Sequence, residues 1–161
     1  MKKINRTIEI KAPVQRVFDF VTQPTNLPSI WPNMVSVSNV VARGGGAHDF
    51  DWVYKMAGIH FKGHAKTEEA QPGKLVRVRN DSGIPSTFIW TYEGLNGGYT
   101  RLTLSVEYEI PTPVVGKIAE ALLTKLNERD ADNMLANLKD TMEHATTVAP
   151  TARVRSSSTF A

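Results

Sequence analysis

The chain of 161 residues carries 41% hydrophobic and 22% charged side chains, a balance that excludes a disordered or membrane-embedded polypeptide and suits one compact domain. Its 19 Lys and Arg against 16 Asp and Glu leave a net +3, too small an excess to argue for nucleic acid. With no cysteine, disulfides, thiolate metal sites, iron–sulfur clusters and a thiol nucleophile are excluded.

After Met1-Lys2-Lys3 the chain alternates instead of presenting an apolar run, so no signal peptide is predicted. No stretch approaches the ~18 apolar residues of a membrane span, and a cytoplasmic location is expected. Ile4, Ile8 and Ile10 share one face of a first strand, with Asn5, Thr7, Glu9 and Lys11 on the other. Ala12-Pro13 ends it, and Pro13 suits the first turn of a short helix carrying Val14, Val17, Phe18 and Val21 at helical spacing. Gln23-Pro24 breaks that helix, and residues 25–32, punctuated by proline, predict a second helical turn or an irregular bend.

Strands follow, each bounded by turn residues. Asn33 to Arg43 predicts one, with Val35, Val37 and Val41 on a common face, and Gly44-Gly45-Gly46 turns it into Phe50, Trp52, Tyr54 and Met56, a broad aromatic face. A two-residue turn at Ala57-Gly58 would continue that face through Ile59, Phe61, Gly63, Ala65 and Thr67, whereas a slip of one residue would reverse it. Pro72-Gly73 leads into Val76 and Val78, and Asp81-Ser82-Gly83 into Phe88, Trp90 and Tyr92. Asn96-Gly97-Gly98 is a hairpin signal before Leu102, Leu104, Val106, Tyr108 and Ile110. Beyond Pro111-Thr112-Pro113 the period becomes 3.6, with Val115, Ile118, Ala119, Leu122, Leu126, Met134, Leu135, Leu138 and Met142 on one stripe of a long helix to about Ala145. Residues 1–147 are thus expected to form the domain. Val148 to Ala161, lacking periodicity, is expected to be a mobile tail.

One strand, two short helices, about six antiparallel strands and a long C-terminal helix together predict an α+β fold in which a curved antiparallel sheet grips the helix. A space that side chains do not fill commonly remains between such layers. The residues resemble the START-like or SRPBCC helix-grip superfamily, in particular its polyketide cyclase/dehydrase and lipid-transport group. The resemblance spans about residues 3–145. It rests on the opening Ile8-Glu9-Ile10-Lys11-Ala12-Pro13-Val14-Gln15-Arg16-Val17-Phe18-Asp19-Phe20-Val21, on Trp31-Pro32, and on Thr100-Arg101-Leu102-Thr103-Leu104. It implies a hydrophobic small-molecule ligand such as a lipid, sterol, polyketide or plant hormone; some members cyclise or aromatise polyketides. It implies no catalytic motif, and bifunctional aromatase/cyclases often carry two such domains where this chain has one.

The ligand-facing candidates are Trp31, Trp52, Tyr54, Phe61, Phe88, Trp90, Tyr92, Tyr108 and Leu122, side chains suited either to a flat or acyl ligand or simply to packing beneath the helix. His60-Phe61-Lys62-Gly63-His64 lacks the Glu of a zincin and sits on a strand, so exposed histidines and no metal site are expected. Gly44-Gly45-Gly46 precedes a strand, not a helix, and fails as a phosphate cradle; no dinucleotide fingerprint occurs and no cofactor is expected. Alternation puts Arg77, Arg79, Glu93 and Glu107 opposite the aromatic face, in solvent, and Asp49 and Asp51 make no convincing acid/base pair. Asn127 and Asp130 interrupt the apolar stripe and face either a cavity or, at a bend of the helix, solvent; the solvated bend is the preferred reading. The lack of a convergent titratable cluster favours a binder or carrier over a polyketide cyclase, aromatase or dehydratase, and a protein-interaction module is a third class. A monomer or homodimer is expected.

Overall fold

The computed structural model describes residues 1–111, 116 and 119–158, with side chains described as far as residue 144. The elements are β1 (Lys2–Ile10), α1 (Val14–Thr22), a 3₁₀ turn (Pro24–Asn26), α2 (Leu27–Ile30), β2 (Met34–Gly44), β3 (Ala47–Met56), β4 (Ile59–Gln71), β5 (Leu75–Asn80), β6 (Ser86–Leu95), β7 (Tyr99–Tyr108) and α3 (Glu120–Ser158). The strands form one antiparallel sheet of seven in the order β1-β7-β6-β5-β4-β3-β2. Consecutive strands pair as a meander; the exception is β1, which crosses to the far edge and aligns Ile4 with Val106 and Ile8 with Leu102. The helix-grip architecture is therefore as the sequence indicates.

At Ala57-Gly58 both φ angles are positive, 54° and 78°, as a two-residue turn between right-twisted strands requires. Met56 consequently pairs with Ile59 and Tyr54 with Phe61, and His60, Lys62, His64 and Lys66 point outward. On β2 the expected alternation fails. Val35 and Val41 are exposed, and the inward positions are Met34, Val37 and Val40. Breaks in register between Met34 and Ser36 and between Ser38 and Val41, with Asn39 at φ 52°, stretch the inward period from two to three.

The sequence starts the long helix near Val115, but residues 112–115 and 117–118 lie outside the described ones, and α3 is described from Glu120. It continues to Ser158, where the sequence predicts a tail from Val148. Residues 159–161 lie outside the described ones. The core between sheet and helix holds Ile10, Val17, Ile30, Leu102, Leu104, Leu123, Met134, Leu135 and Leu138, all within 2% of complete burial. Side chains of that size contribute about 1.5–3 kcal/mol each when removed from water.

Polar contacts along β1 set where α3 lies. Lys139 Nζ donates to the Glu9 carbonyl at 2.6 Å, Glu143 accepts the Lys11 N–H at 2.9 Å, and Arg6 pairs with Asp132 at 2.6 Å. Such exposed pairs add little stability, but they fix the helix's position along the strand.

Candidate functional site

The stretch of helix above β3 to β7 does not close on the sheet. A cavity of about 130 Å³ lies between them, lined chiefly by side chains of the inward sheet face, with Val21, Leu27 and Trp31 from the short helical segment and Asn127, Asp130, Ala131 and Met134 from α3. Those four α3 positions fall at spacings of three and four, one continuous face of a helix.

Of the residues singled out from the sequence, Trp31, Trp52, Tyr54, Phe88, Trp90, Tyr92 and Tyr108 line this cavity. Two do not. Phe61 is buried, but Tyr54, opposite it on β3, occupies that stretch of wall. Leu122 is 61% exposed, because the phase set by Asn127, Asp130, Ala131 and Met134 brings Leu123, not Leu122, onto the inward face. Phe50, Met34 and Asn80 join the wall without having been candidates. Phe50 and Asn80 were legible from alternation with Trp52 and with Val76 and Val78; Met34 was hidden by the β2 irregularity.

Asp130 is the main departure from the sequence reading. It is 5% exposed, not solvated at a bend, and gathers three donors from two segments, the connection after α2 and β3. Trp31 Nε1 donates to Oδ2 at 2.6 Å, Asn33 Nδ2 to Oδ1 at 3.0 Å, and the Tyr54 hydroxyl to Oδ2. Burial raises the carboxyl's pKa above the ordinary carboxylate value, while the donors, Tyr54 foremost, pull it back down. Burial, with the neighbouring carboxylate, also pushes the Tyr54 hydroxyl far up, so it stays a proton donor. The Trp31 ring packs against Tyr54 and Phe88, with centroids 5.7 and 5.4 Å away, so the network is held by stacking as well as by hydrogen bonds. Asn127, one turn earlier, lies 3.4 Å from Met56 Sδ.

The opposite wall is built around glycine. Trp52 lies across Gly63, its cross-strand partner, where a Cβ would come within 2.1 Å of the indole. The indole Nε1 donates to Asn80 Oδ1 at 2.8 Å, and Asn80 Nδ2 donates to Ser86 Oγ at 3.1 Å. At the α1 end, Phe18 meets Tyr92 edge to face with centroids 5.1 Å apart. Gly46, at φ 92°, leaves room for that ring, since a Cβ there would fall 2.7 Å from Phe18 Cζ.

Outside the cavity, the candidates Arg77, Arg79 and Glu93 are engaged on the sheet's outer face, and Glu107 is exposed there. Arg77 pairs with Glu69, Arg79 with Asp81, and Arg101 with Glu9 and Glu93. Asp51 accepts from Asn39 and bonds His64 Nδ1, contacts that lower its pKa, and Asp49 pairs with Arg43. Among the described residues no group of three His, Asp or Glu is placed to hold a metal ion, and no helix is long and apolar enough to cross a membrane.

No curated protein matches the sequence. Solved structures share the fold at low identity. TTHA0849 from Thermus thermophilus is 22% identical, with a TM-score of 0.76 over 89% of this chain and 99% of its own. The Zhui aromatase/cyclase from Streptomyces sp. R1128 is 15% identical, with a TM-score of 0.75 over 90% and 95%. A START superfamily protein from Mycobacterium smegmatis is 14% identical, with a TM-score of 0.66 over 88% and 97%. At these identities the likeness is one of fold. The sequence itself matches a family over residues 1–143, the whole of the sheet and α3 as far as Glu143, and the chain belongs to that family, polyketide cyclase/dehydrase and lipid transport.

Proposed function

We propose that the protein binds a hydrophobic small molecule, a lipid, polyketide or aromatic metabolite, in the cavity between the sheet and α3. The observation that carries this reading is a cavity walled by aromatic side chains, seven from the sheet together with Trp31, beside a core whose side chains are packed to full burial. Its 130 Å³ is comparable to apolar cavities that admit a benzene-sized molecule. A flat ring system gains both area burial and edge or face contacts from Trp and Tyr walls. Mass spectrometry of a solvent extract of the natively purified protein tests this. A near-stoichiometric apolar molecule is the expected result; an empty protein that also binds no aromatic or acyl probe overturns it.

Asp130 supports a second reading, a cyclase-, aromatase- or dehydratase-type enzyme using the same cavity. A carboxyl whose pKa is raised by burial and which bonds a tyrosine hydroxyl can exchange a proton with a reactive chain folded against it. If that reading holds, Asp130→Asn abolishes turnover of a polyketide-like substrate while binding persists; turnover surviving in the variant overturns it.

A further inference from the structure

Two buried side-chain polar atoms among the described residues have no hydrogen-bond partner, the hydroxyls of Tyr92 and Tyr108, and both residues line the cavity. Buried hydroxyls nearly always find partners, because leaving one unpaired forfeits its hydration with nothing in exchange. Tyr108 at least sits close to Asn127 and Thr124. Tyr92 is 5% exposed, and its neighbour across the cavity end is the edge of Phe18, which offers no acceptor. A donor thus stands at one end of an apolar cavity with its hydrogen bond unspent.

The charges around it narrow what can use that donor. No Lys, Arg or His lines the cavity among the described residues, and its one formally charged side chain, Asp130, already accepts three hydrogen bonds. A ligand carboxylate would lose its water, meet no cation and share the space with a buried carboxyl. A ketone, ester or ether oxygen loses far less on desolvation and accepts from a phenol as readily.

We propose that Tyr92 is a specificity residue whose hydroxyl donates to a carbonyl or ether oxygen of an uncharged, largely aromatic ligand, and that the cavity rejects free carboxylic acids. This rests on the binding reading above and names the class of ligand. Calorimetric titration at neutral pH with three benzene-sized probes of one shape, acetophenone, ethylbenzene and benzoate, tests it on the full chain and on Tyr92→Phe. The ketone is expected to bind the wild type about 3- to 10-fold more tightly than the hydrocarbon, the worth of one hydrogen bond, and the benzoate at least tenfold more weakly than the ketone. In Tyr92→Phe the ketone falls to the hydrocarbon's affinity, the hydrocarbon is unchanged, and the melting temperature does not drop, because the hydroxyl removed had no partner. Benzoate binding as tightly as the ketone, or a ketone preference that survives in Tyr92→Phe, overturns the inference and leaves the binding reading intact. A lowered melting temperature with the preference lost shows a partner within the protein and overturns it too. Failure of all three probes overturns this inference, and the binding reading falls with it only where the solvent extract is also empty and acyl probes fail.

Discussion

The two halves of the described part of α3 do different work on the same sheet. From Leu135 onward the inward residues Leu135, Leu138 and Met142 are buried in a filled core, and Lys139 and Glu143 tie the helix to β1. Between Leu123 and Met134 the inward face instead carries Asn127, Asp130 and Ala131 above empty space, and Leu122 and Leu126 are exposed. One amphipathic helix is therefore a core element at one end and a roof at the other. Polar residues enter the stripe where side chains stop filling the gap beneath it, and Asp130 there is met by donors from other segments.

Substitutions that remove the same kind of mass from the two halves test this division, and the largest effect belongs to the filled one. Leu138→Ala should lose about 2–5 kcal/mol in denaturant unfolding, since the side chain is fully buried and its neighbours cannot collapse into the gap. Affinity for acetophenone should stay within about twofold, because Leu138 is not on the cavity wall. Trp90→Ala should behave oppositely. A tryptophan in a filled core costs about 3–5 kcal/mol when truncated, but one flank of Trp90 already faces the cavity, so its loss should fall below that range while the same probe binds at least tenfold more weakly. Stability and affinity falling in proportion in both variants would erase the distinction.

Asp130→Asn comes next and adds a pH signature. Asparagine cannot accept from Trp31, Asn33 and Tyr54 together, and the donor left unpaired should cost about 1–3 kcal/mol at pH 5. In the wild type the native carboxyl has a raised pKa, so between the unfolded value and that raised one the native state holds the extra proton. Stability contributed by Asp130 is then fully present below the unfolded value and lost as pH rises through the native one. Unfolding curves from pH 4 to 8 should show the gap between wild type and variant narrowing as pH increases; a gap that widens contradicts a carboxyl strained by burial.

The pattern of what the sequence disclosed follows the same physics. Period-two alternation on β3, β6 and β7 located most of the cavity wall, because those strands carry no bulge of their own and turn one face toward the helix. Val35 and Val41 were misplaced since a bulge adds a residue without any signature in hydrophobicity, Asn39's positive φ being its only trace. Asp130 was seen as an anomaly in the stripe, yet its partners Trp31, Asn33 and Tyr54 lie ~75–100 residues away in the chain, and a burial that depends on such contacts cannot be weighed from local composition. Leu122 shows a smaller version of this limit. Nine apolar positions on a long helix fit more than one phase, and only the contacts at Asp130 and Met134 select between them.

The smallest predicted effect is therefore also a test of that phase. Leu122→Ala should change stability by no more than about 0.5 kcal/mol: the side chain is 61% exposed, and alanine is at least as good a helix former as leucine. Leu123→Ala, one residue on, removes a side chain 1% exposed and belongs with Leu138→Ala in cost. The pair reads the rotation of the roof directly, since one residue is about 100° of helix. Equal losses from both would mean that Leu122 is covered in solution by a surface outside the described residues, and a loss at Leu122 that scales with protein concentration would identify that surface as a second copy of the chain.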